Sequence, residues 1–293
     1  MTTVTGGNGR DPGVPGRLRR RLWGLAEAMA SPRRPEDYLD MFHPLRRGAD
    51  LRGRVIAVRP EAGGAVTVVL RPGAAWRSHV PGQYARVGLE VDGVRRWRSY
   101  SITSPPAPAG GTISITARAV PGGIVSAHLA QRLAEGDLVH LDQACGDFVL
   151  PDPIPDKVLF ITGGSGITPV IGMLRSGRDW LRDVVLVHSE GRDRDVIFGP
   201  ELRGLAADGH IRLVEQHTER AGRLGMAELR ALVPDLAERA AWACGPAGLL
   251  DEIEAYWDDL GTTRPLHTER FRTALAAPGQ GGTVEFTTTG ATV

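Results

Sequence analysis

The chain has 293 residues, which suits two domains, and 42% of them are apolar, enough to build buried cores. Thirty-five basic residues against 34 acidic ones leave a net charge of +1, which excludes the electrostatic bias of a nucleic-acid or membrane-surface binder. Two cysteines, Cys145 and Cys244, exclude a disulfide framework and a four-cysteine zinc or iron–sulfur site on this chain.

In chain order, residues 1–16 are polar and rich in Gly and Pro, with no secretory signal, and a reduced, cytoplasmic setting is expected. Arg17–Ala30 reads as a short basic helix, with Leu18, Leu22, Leu25, Ala26 and Met29 on one stripe. Such a helix either caps the protein's own core or lies on a membrane or a partner, which leaves a location peripheral to the membrane open. From Leu51 the texture changes to short β-branched runs: Arg54–Val58, Ala65–Leu70, Tyr84–Leu89, Arg98–Ile102, Thr112–Ala119 and Leu138–Leu141. Turn signals separate them and one helix, Ser126–Ala134, interrupts them, so the expected unit is an antiparallel Greek-key β-barrel. The Pro- and Asp-rich stretch 151–156 marks a boundary. Beyond it the strands Val158–Thr162, Val184–His188, Ile211–Val214 and Ala240–Cys244 alternate with helices, the pattern of a parallel α/β sheet. The expected organisation is a leader over 1–47, the barrel over 48–152, the α/β domain over 153–272 and a tail over 273–293.

Four motifs carry chemistry. In Thr162-Gly-Gly-Ser-Gly-Ile-Thr-Pro169 a strand ends, glycines turn the chain, and Thr168 is expected to cap a helix starting at Pro169. Such a loop either cradles a phosphate at a helix N-terminus or is a tight structural turn. Arg98-Ser-Tyr-Ser101 ends a barrel strand; alternation puts Arg98 and Tyr100 on one face and Ser99 and Ser101 on the other. An arginine fork suits a phosphate and a tyrosine ring suits a flat heterocycle. Gly122-Gly-Ile-Val-Ser126 opens a helix and offers backbone N–H groups to a second phosphate, or an N-cap by Ser126. Cys244-Gly-Pro246 closes a strand of the α/β half, where ligands sit beyond the carboxyl ends of strands; the thiol either meets a ligand or is buried and inert.

Taken together and in this order, the motifs resemble the ferredoxin–NADP reductase superfamily, in its oxygenase-reductase and flavohaemoglobin-like branch. The resemblance covers roughly 51–271: Arg98 to Ser104 is similar to the RxYSxxS flavin motif, Gly123–Ser126 to the GxxS phosphate motif, Gly163–Pro169 to the pyridine-nucleotide loop and Cys244–Pro246 to the CGP loop. The resemblance implies an NAD(P)H-dependent flavoprotein reductase that carries FAD rather than FMN and passes electrons onward. It implies that Arg98 holds the flavin phosphate, that Tyr100 stacks against the isoalloxazine, that Ser99 binds the flavin, and that Ser101 bonds near N5. Gly122, Gly123, Ile124, Val125 and Ser126 would bind the pyrophosphate, and Ile115, Ala117 and Arg118 would run along the adenosine side. Gly163, Gly164, Gly166, Thr168, Gly245 and Pro246 would hold the nicotinamide nucleotide, with Cys244 beside the reacting carbon and Glu269 and Phe271 near the flavin. Nucleotide choice is expected in the loop after the second α/β strand: Ser189 is expected to bind the nucleotide, Arg192, Arg194 or Arg223 suits a 2′-phosphate, whereas Glu190 suits a ribose diol, and the balance leans to NADPH over NADH. No metal ligands are expected, and a [2Fe–2S] cluster is not held by this chain. The segment 282–290 is similar to the opening hairpin of a plant-type ferredoxin domain, truncated here or kept as a small strand. The leader around Asp37–Pro44 resembles actinobacterial reductases that feed fatty-acyl desaturases. The partners implied are a ferredoxin, an oxygenase or a membrane desaturase; a small-molecule acceptor and an inactive fragment are the alternatives.

Overall fold

Alternation of apolar and polar residues builds the first sheet. In the strand Tyr84–Val91, Ala85, Val87, Leu89 and Val91 are buried while Arg86 and Glu90 point to solvent. The computed structural model describes residues 35–108, 110–120 and 122–271, together with the backbone of Glu285–Phe286 and Ala291–Thr292. The expected basic helix over 17–30 lies outside these residues. After a short helix α1 (Pro35–Phe42) come β1 (Arg52–Pro60), β2 (Ala65–Pro72), β3 (Tyr84–Val91), β4 (Val94–Ser101), β5 (Ile113–Arg118), helix α2 (Ile124–Gln131) and β6 (Leu138–Leu141). The six strands run in the order β4-β3-β6-β1-β2-β5, with every paired neighbour antiparallel. Ile102, one residue past β4, bridges Ile115 on β5, so the two ends of the sheet meet and the barrel closes. Helix α2 packs Val125 and Leu129 into the barrel core.

The second sheet contains β7 (Lys157–Gly163), β8 (Asp183–Glu190), β9 (Arg212–His217), β10 (Ala240–Cys244) and β11 (Leu266–Glu269), all parallel, in the order β11-β10-β7-β8-β9. Its central strands are apolar runs because helices cover both faces. Helices α3 (Ile167–Ser176) and α4 (Gly199–Ala207) pack on the face carrying Phe160, Leu186 and Trp242. The single turn α5 (Thr218–Ala221) follows β9, and α6 (Met226–Leu232) and α7 (Ala247–Leu260) cover the face carrying Leu159, Ile161, Val185 and Val187. Among the described residues no helix is long and apolar enough to cross a membrane.

Several elements differ from the sequence reading. Strand β4 begins at Val94 rather than Arg98, because its exposed edge tolerates Arg95 and Arg96. Helix α2 starts at Ile124, so Ser126 lies inside its first turn and Gly123 takes the cap position. Helix α3 starts at Ile167 with Gly166 at its cap; Thr168 does not cap it, and its hydroxyl donates instead to the Ser165 carbonyl (2.9 Å). Helix α4 follows Phe198, whose left-handed backbone (φ 60) breaks the chain direction without a glycine to announce it. Strand β11 is added to the sheet edge by parallel pairing with β10. In the tail, β12 (Glu285–Phe286) pairs antiparallel with β13 (Ala291–Thr292).

The two sheets are joined through α3. A Cβ on Gly172 would lie 2.6 Å from the Ile102 carbonyl oxygen, so the helix backbone rests directly on the end of β4. Arg175, one turn further, donates to the Thr103 carbonyl (2.6 Å) and forks onto both Glu201 oxygens (2.9 and 2.6 Å) while its guanidinium covers the Phe198 ring. Trp242, fully buried in β10, reaches the segment between the sheets by donating to the Val149 carbonyl (3.1 Å). Gly172→Ala is expected to lower unfolding stability by roughly 1–3 kcal/mol, the range for overpacking, despite the better helix propensity of alanine. Urea unfolding would check this; an unchanged or raised midpoint would show that the seam yields without strain.

Candidate functional site

The parallel sheet has one topological switch point. From β7 the chain runs outward through β8 and β9, then returns to lay β10 on the other side of β7. The loops leaving β7 and β10 therefore diverge over a crevice at the carboxyl edge, the usual place for a ligand in such a sheet. Those loops are Gly163–Gly166 and Cys244–Pro246, two of the motifs singled out in the sequence. They pack backbone to backbone: a Cβ on Gly166 would strike the Cys244 carbonyl, one on Gly163 would lie 2.7 Å from Pro246 Cδ, and one on Gly245 would lie 3.0 Å from the Gly163 nitrogen. Gly164, at φ 55, makes the turn into α3.

A cavity of about 380 Å³ opens beside these loops. It is lined by Gly163, Gly164, Ser189, Arg223 and Pro246 from the expected set. Its other walls, Glu190, Gly191, Thr218, Leu224, Gly248, Leu249 and Glu252, come largely from the turns after β8 and β9 and from the first turns of α7. Of the three arginines expected to read a 2′-phosphate, only Arg223 faces the cavity, and it has no ion-pair or hydrogen-bond partner among the described residues. Arg192 is exposed and paired with Glu219, and Arg194 lies in the exposed turn after it. Glu190 has both oxygens engaged: one accepts from the Gly191 N–H (2.9 Å), the other from Arg118 Nη2 (2.7 Å).

A second cleft, of about 360 Å³, is lined by Tyr84, Arg86, Trp97, Arg98, Ser99, Ser101, Glu269, Arg270 and Phe271. It is built where the outer face of the β3–β4 hairpin meets the end of β11. Register explains the lining: Tyr84 pairs with Ser101, Arg86 with Ser99 and Gly88 with Trp97, so these residues share a face. Arg98 and Tyr100 pair with Val87 and Ala85 and share the opposite, core-facing side, as the alternation required. Tyr100 does not line the cleft; it packs against the barrel core, and burial pushes its hydroxyl pKa up to about 12. Arg98 is exposed, donates to the Trp97 carbonyl (2.7 Å) and reaches the cleft by its length. Two polar atoms in this cleft are buried with no hydrogen-bond partner among the described residues, Ser101 Oγ and Glu269 Oε2. An unpartnered buried polar atom costs about 1–3 kcal/mol, so the site favours a ligand that satisfies both. Burial also raises the Glu269 carboxyl to about 7.

The remaining expected residues separate into two groups. Ile115, Ala117 and Val125 are buried in the barrel core, which leaves only their backbone for a ligand. Gly122 and Ile124 are exposed, and the Gly122–Ser126 turn lines neither cavity; the Ser126 hydroxyl donates to the Gly123 carbonyl (3.2 Å) and accepts from the Val120 N–H (3.3 Å). Cys244 is fully buried, pairs in register with Glu269, and is held protonated, its thiol pKa raised by burial and then by the Glu269 charge. Tyr84, Arg86 and Trp97 were absent from the expected site, though a signal existed. The two-residue Asp92-Gly93 turn, with φ of 52 and 74, pairs Val91 with Val94 and so fixes Tyr84 opposite Ser101.

The residues present fit a flavin and a pyridine nucleotide side by side: the cleft presents unpartnered polar atoms to one, and the glycine cradle with an unpaired arginine suits the phosphates of the other. Comparison with known proteins agrees. Residues 75–150 match the family described as oxidoreductase FAD-binding domain. The chain is 43% identical over 295 residues to an NADPH oxidoreductase of Mycobacterium tuberculosis, covering 97% of this chain and 78% of that protein. It is 36% identical over 187 residues to a glycine betaine monooxygenase reductase subunit of Pseudomonas aeruginosa, a match that spans 59% of this chain and half of that protein. Its fold is similar to a ferredoxin NADP+ reductase from Neisseria gonorrhoeae with bound FAD and NADP, with a TM-score of 0.66 and 23% identity, covering 76% of this chain and all of that one. The chain belongs to the FAD-binding oxidoreductases of the ferredoxin–NADP reductase superfamily.

Proposed function

We propose that this protein takes a hydride from NADPH onto bound FAD and passes electrons to an iron–sulfur or oxygenase-type protein acceptor. The observation that carries the reading is the pair of unpartnered atoms, Ser101 Oγ and Glu269 Oε2, in one cleft where the barrel meets the carboxyl edge of the nucleotide sheet. Bound FAD supplies the exchange of two electrons for single ones, which no side chain here provides. The protein's part is orientation and electrostatics. Ser101 offers a hydroxyl at the flavin face of the cleft, and burial raises the Glu269 carboxyl to about 7, so that it exchanges a proton around neutral pH. Phe271, 47% exposed, lines the cleft and offers it an apolar wall. Gly163, Gly164 and Pro246 let the nucleotide approach the backbone closely, and Arg223 pairs with the 2′-phosphate. Cys244 acts through shape beside Glu269, as its protonated, buried thiol is no nucleophile. A protein acceptor is supported by the likeness to the monooxygenase reductase subunit.

The test of this reading is the anaerobic visible spectrum of the purified protein. A flavin spectrum without iron–sulfur bands, bleached faster by NADPH than by NADH, is expected. A colourless protein that FAD does not reconstitute would refute it. Arg223→Ala is expected to lower kcat/KM for NADPH by roughly 10–100-fold, the equivalent of a charge-assisted contact of about 1.5–3 kcal/mol, with little effect on NADH. Equal losses with both nucleotides would remove Arg223 from the 2′-phosphate.

Glu269 gives a pH signature. Its folded pKa, about 7, lies above the ordinary 4.5, so its proton is retained at low pH and lost as pH rises through 7. Wild-type stability should therefore fall relative to Glu269→Gln between pH 4.5 and 7, and the flavin reduction rate should fall with the same midpoint. A rate profile in which wild type and Glu269→Gln coincide would separate the carboxyl from the chemistry.

A further inference from the structure

Glu190 ends β8, the second strand of the nucleotide sheet, and lines the nucleotide cavity. In dinucleotide-binding sheets an acid near this place bonds the ribose 2′-hydroxyl, which favours NADH and repels a 2′-phosphate. Here each oxygen of the carboxylate already has a partner, one of them a cation. Arg118, at the last position of β5 in the flavin barrel, donates from Nη2 to Glu190 Oε2 (2.7 Å) and to the Asp195 carbonyl (2.8 Å). The other Glu190 oxygen accepts the Gly191 N–H (2.9 Å). The pair is well shielded, with the Glu190 side chain 10% exposed and that of Arg118 25%, so solvent screens it weakly. Arg118 also sits against the nucleotide loop: its Nη1 lies 3.8 Å from where a Cβ on Gly164 would be. The cavity's other carboxylate, Glu252, is exposed and screened by water.

We propose that Arg118 is a positioning residue for nucleotide choice: a side chain of the flavin barrel holds and neutralises Glu190 across the seam, so that the cavity accepts the 2′-phosphate of NADPH instead of a ribose diol. This deepens the NADPH reading centred on Arg223 and rests on it. Arg223 supplies the attraction, and Arg118 removes the repulsion and the competing hydrogen bond. The division of labour places one determinant of nucleotide specificity on the domain that does not carry the nucleotide loops.

The test uses the FAD-loaded protein and the ratio of kcat/KM for NADPH to that for NADH, in which any change of FAD affinity cancels. Arg118→Gln releases Glu190 and is expected to lower the ratio on the order of tenfold, the scale of an unrelieved like-charge contact. Arg118→Lys should retain part of the preference. Glu190→Gln should leave the ratio at or above the wild-type value, and adding it to Arg118→Gln should restore what that variant loses. Glu190→Asp keeps the charge but shortens its reach to Arg118, so it should lower the ratio without touching the barrel; it serves if Arg118→Gln does not fold. An equal loss with both nucleotides in Arg118→Gln, or no recovery in the double variant, would overturn the proposal. A wild-type ratio that Arg223→Ala leaves unmoved would overturn the Arg223 reading alone, because the Arg118 comparison is read separately from it.

Discussion

The distance between the two halves of the site is set by one contact, the backbone of Gly172 against the carbonyl of Ile102. Ile102 follows Ser101, which lines the cleft beside β4, and Gly172 lies one and a half turns into the helix that the glycine loop opens. Helix α3 is thus a spacer of about 9 Å between loop and seam, rigid because its whole inner face is buried. A side chain at position 172 would push the helix off the barrel and move the loop with it. Hydride transfer depends on sub-ångström approach, so a seam without side chains is a means of fixing that approach in the backbone, where rotamers cannot relax it. Arg175 secures the same joint with three acceptors drawn from both sides.

Around this joint the chain divides its polar groups into satisfied and unsatisfied ones. Along the seam, Arg175 is bonded to a carboxylate and a carbonyl through three nitrogens, and Arg118 bonds a carboxylate and a carbonyl through Nη2 while its buried Nε has no partner among the described residues. In the cleft, Ser101 Oγ and Glu269 Oε2 have no partner among the described residues. Burial without a partner explains the raised carboxyl of Glu269 as well, since desolvation disfavours its charged form. At Glu269 a raised carboxyl and an unfilled hydrogen-bonding atom coincide in the cleft, at the place where two cofactors would meet.

Much of the fold was legible because its signals are local. The β-branched runs, the Pro/Asp stretch and the glycine loops gave both sheets, and β6 and β10 fall on the residues expected. The misses have local causes too. Thr168 has the right identity for a cap, but the chain enters the helix two residues earlier through a glycine 3-10 turn, and its hydroxyl serves Ser165 instead. Helix α4 begins after a left-handed Phe198, which carries no sequence signature. The site was legible in its glycines and in the face that Ser99 and Ser101 share. The cleft's far wall was named only through family likeness, because β11 joins by pairing at a distance. The Arg118–Glu190 contact joins residues 72 apart on different sheets, and nothing in either neighbourhood announces it.

The near absence of lysine acquires a structural meaning at these contacts. All but one of the 35 basic residues are arginine, and the exception, Lys157, holds Asp235 and Glu238 far from the cleft at the start of β7. Arginine bias in composition alone is no evidence of design. Yet Arg118 contacts a carboxylate and a carbonyl from one nitrogen while its other terminal nitrogen sits beside Gly164, and Arg175 serves a carbonyl and a bidentate carboxylate together. Those arrangements need a planar fork with donors in fixed directions; an ammonium on a flexible stem supplies the charge without the geometry. A seam that must hold its distance and also hold a carboxylate away from a ligand asks for both, and the guanidinium is the one cationic side chain that provides them.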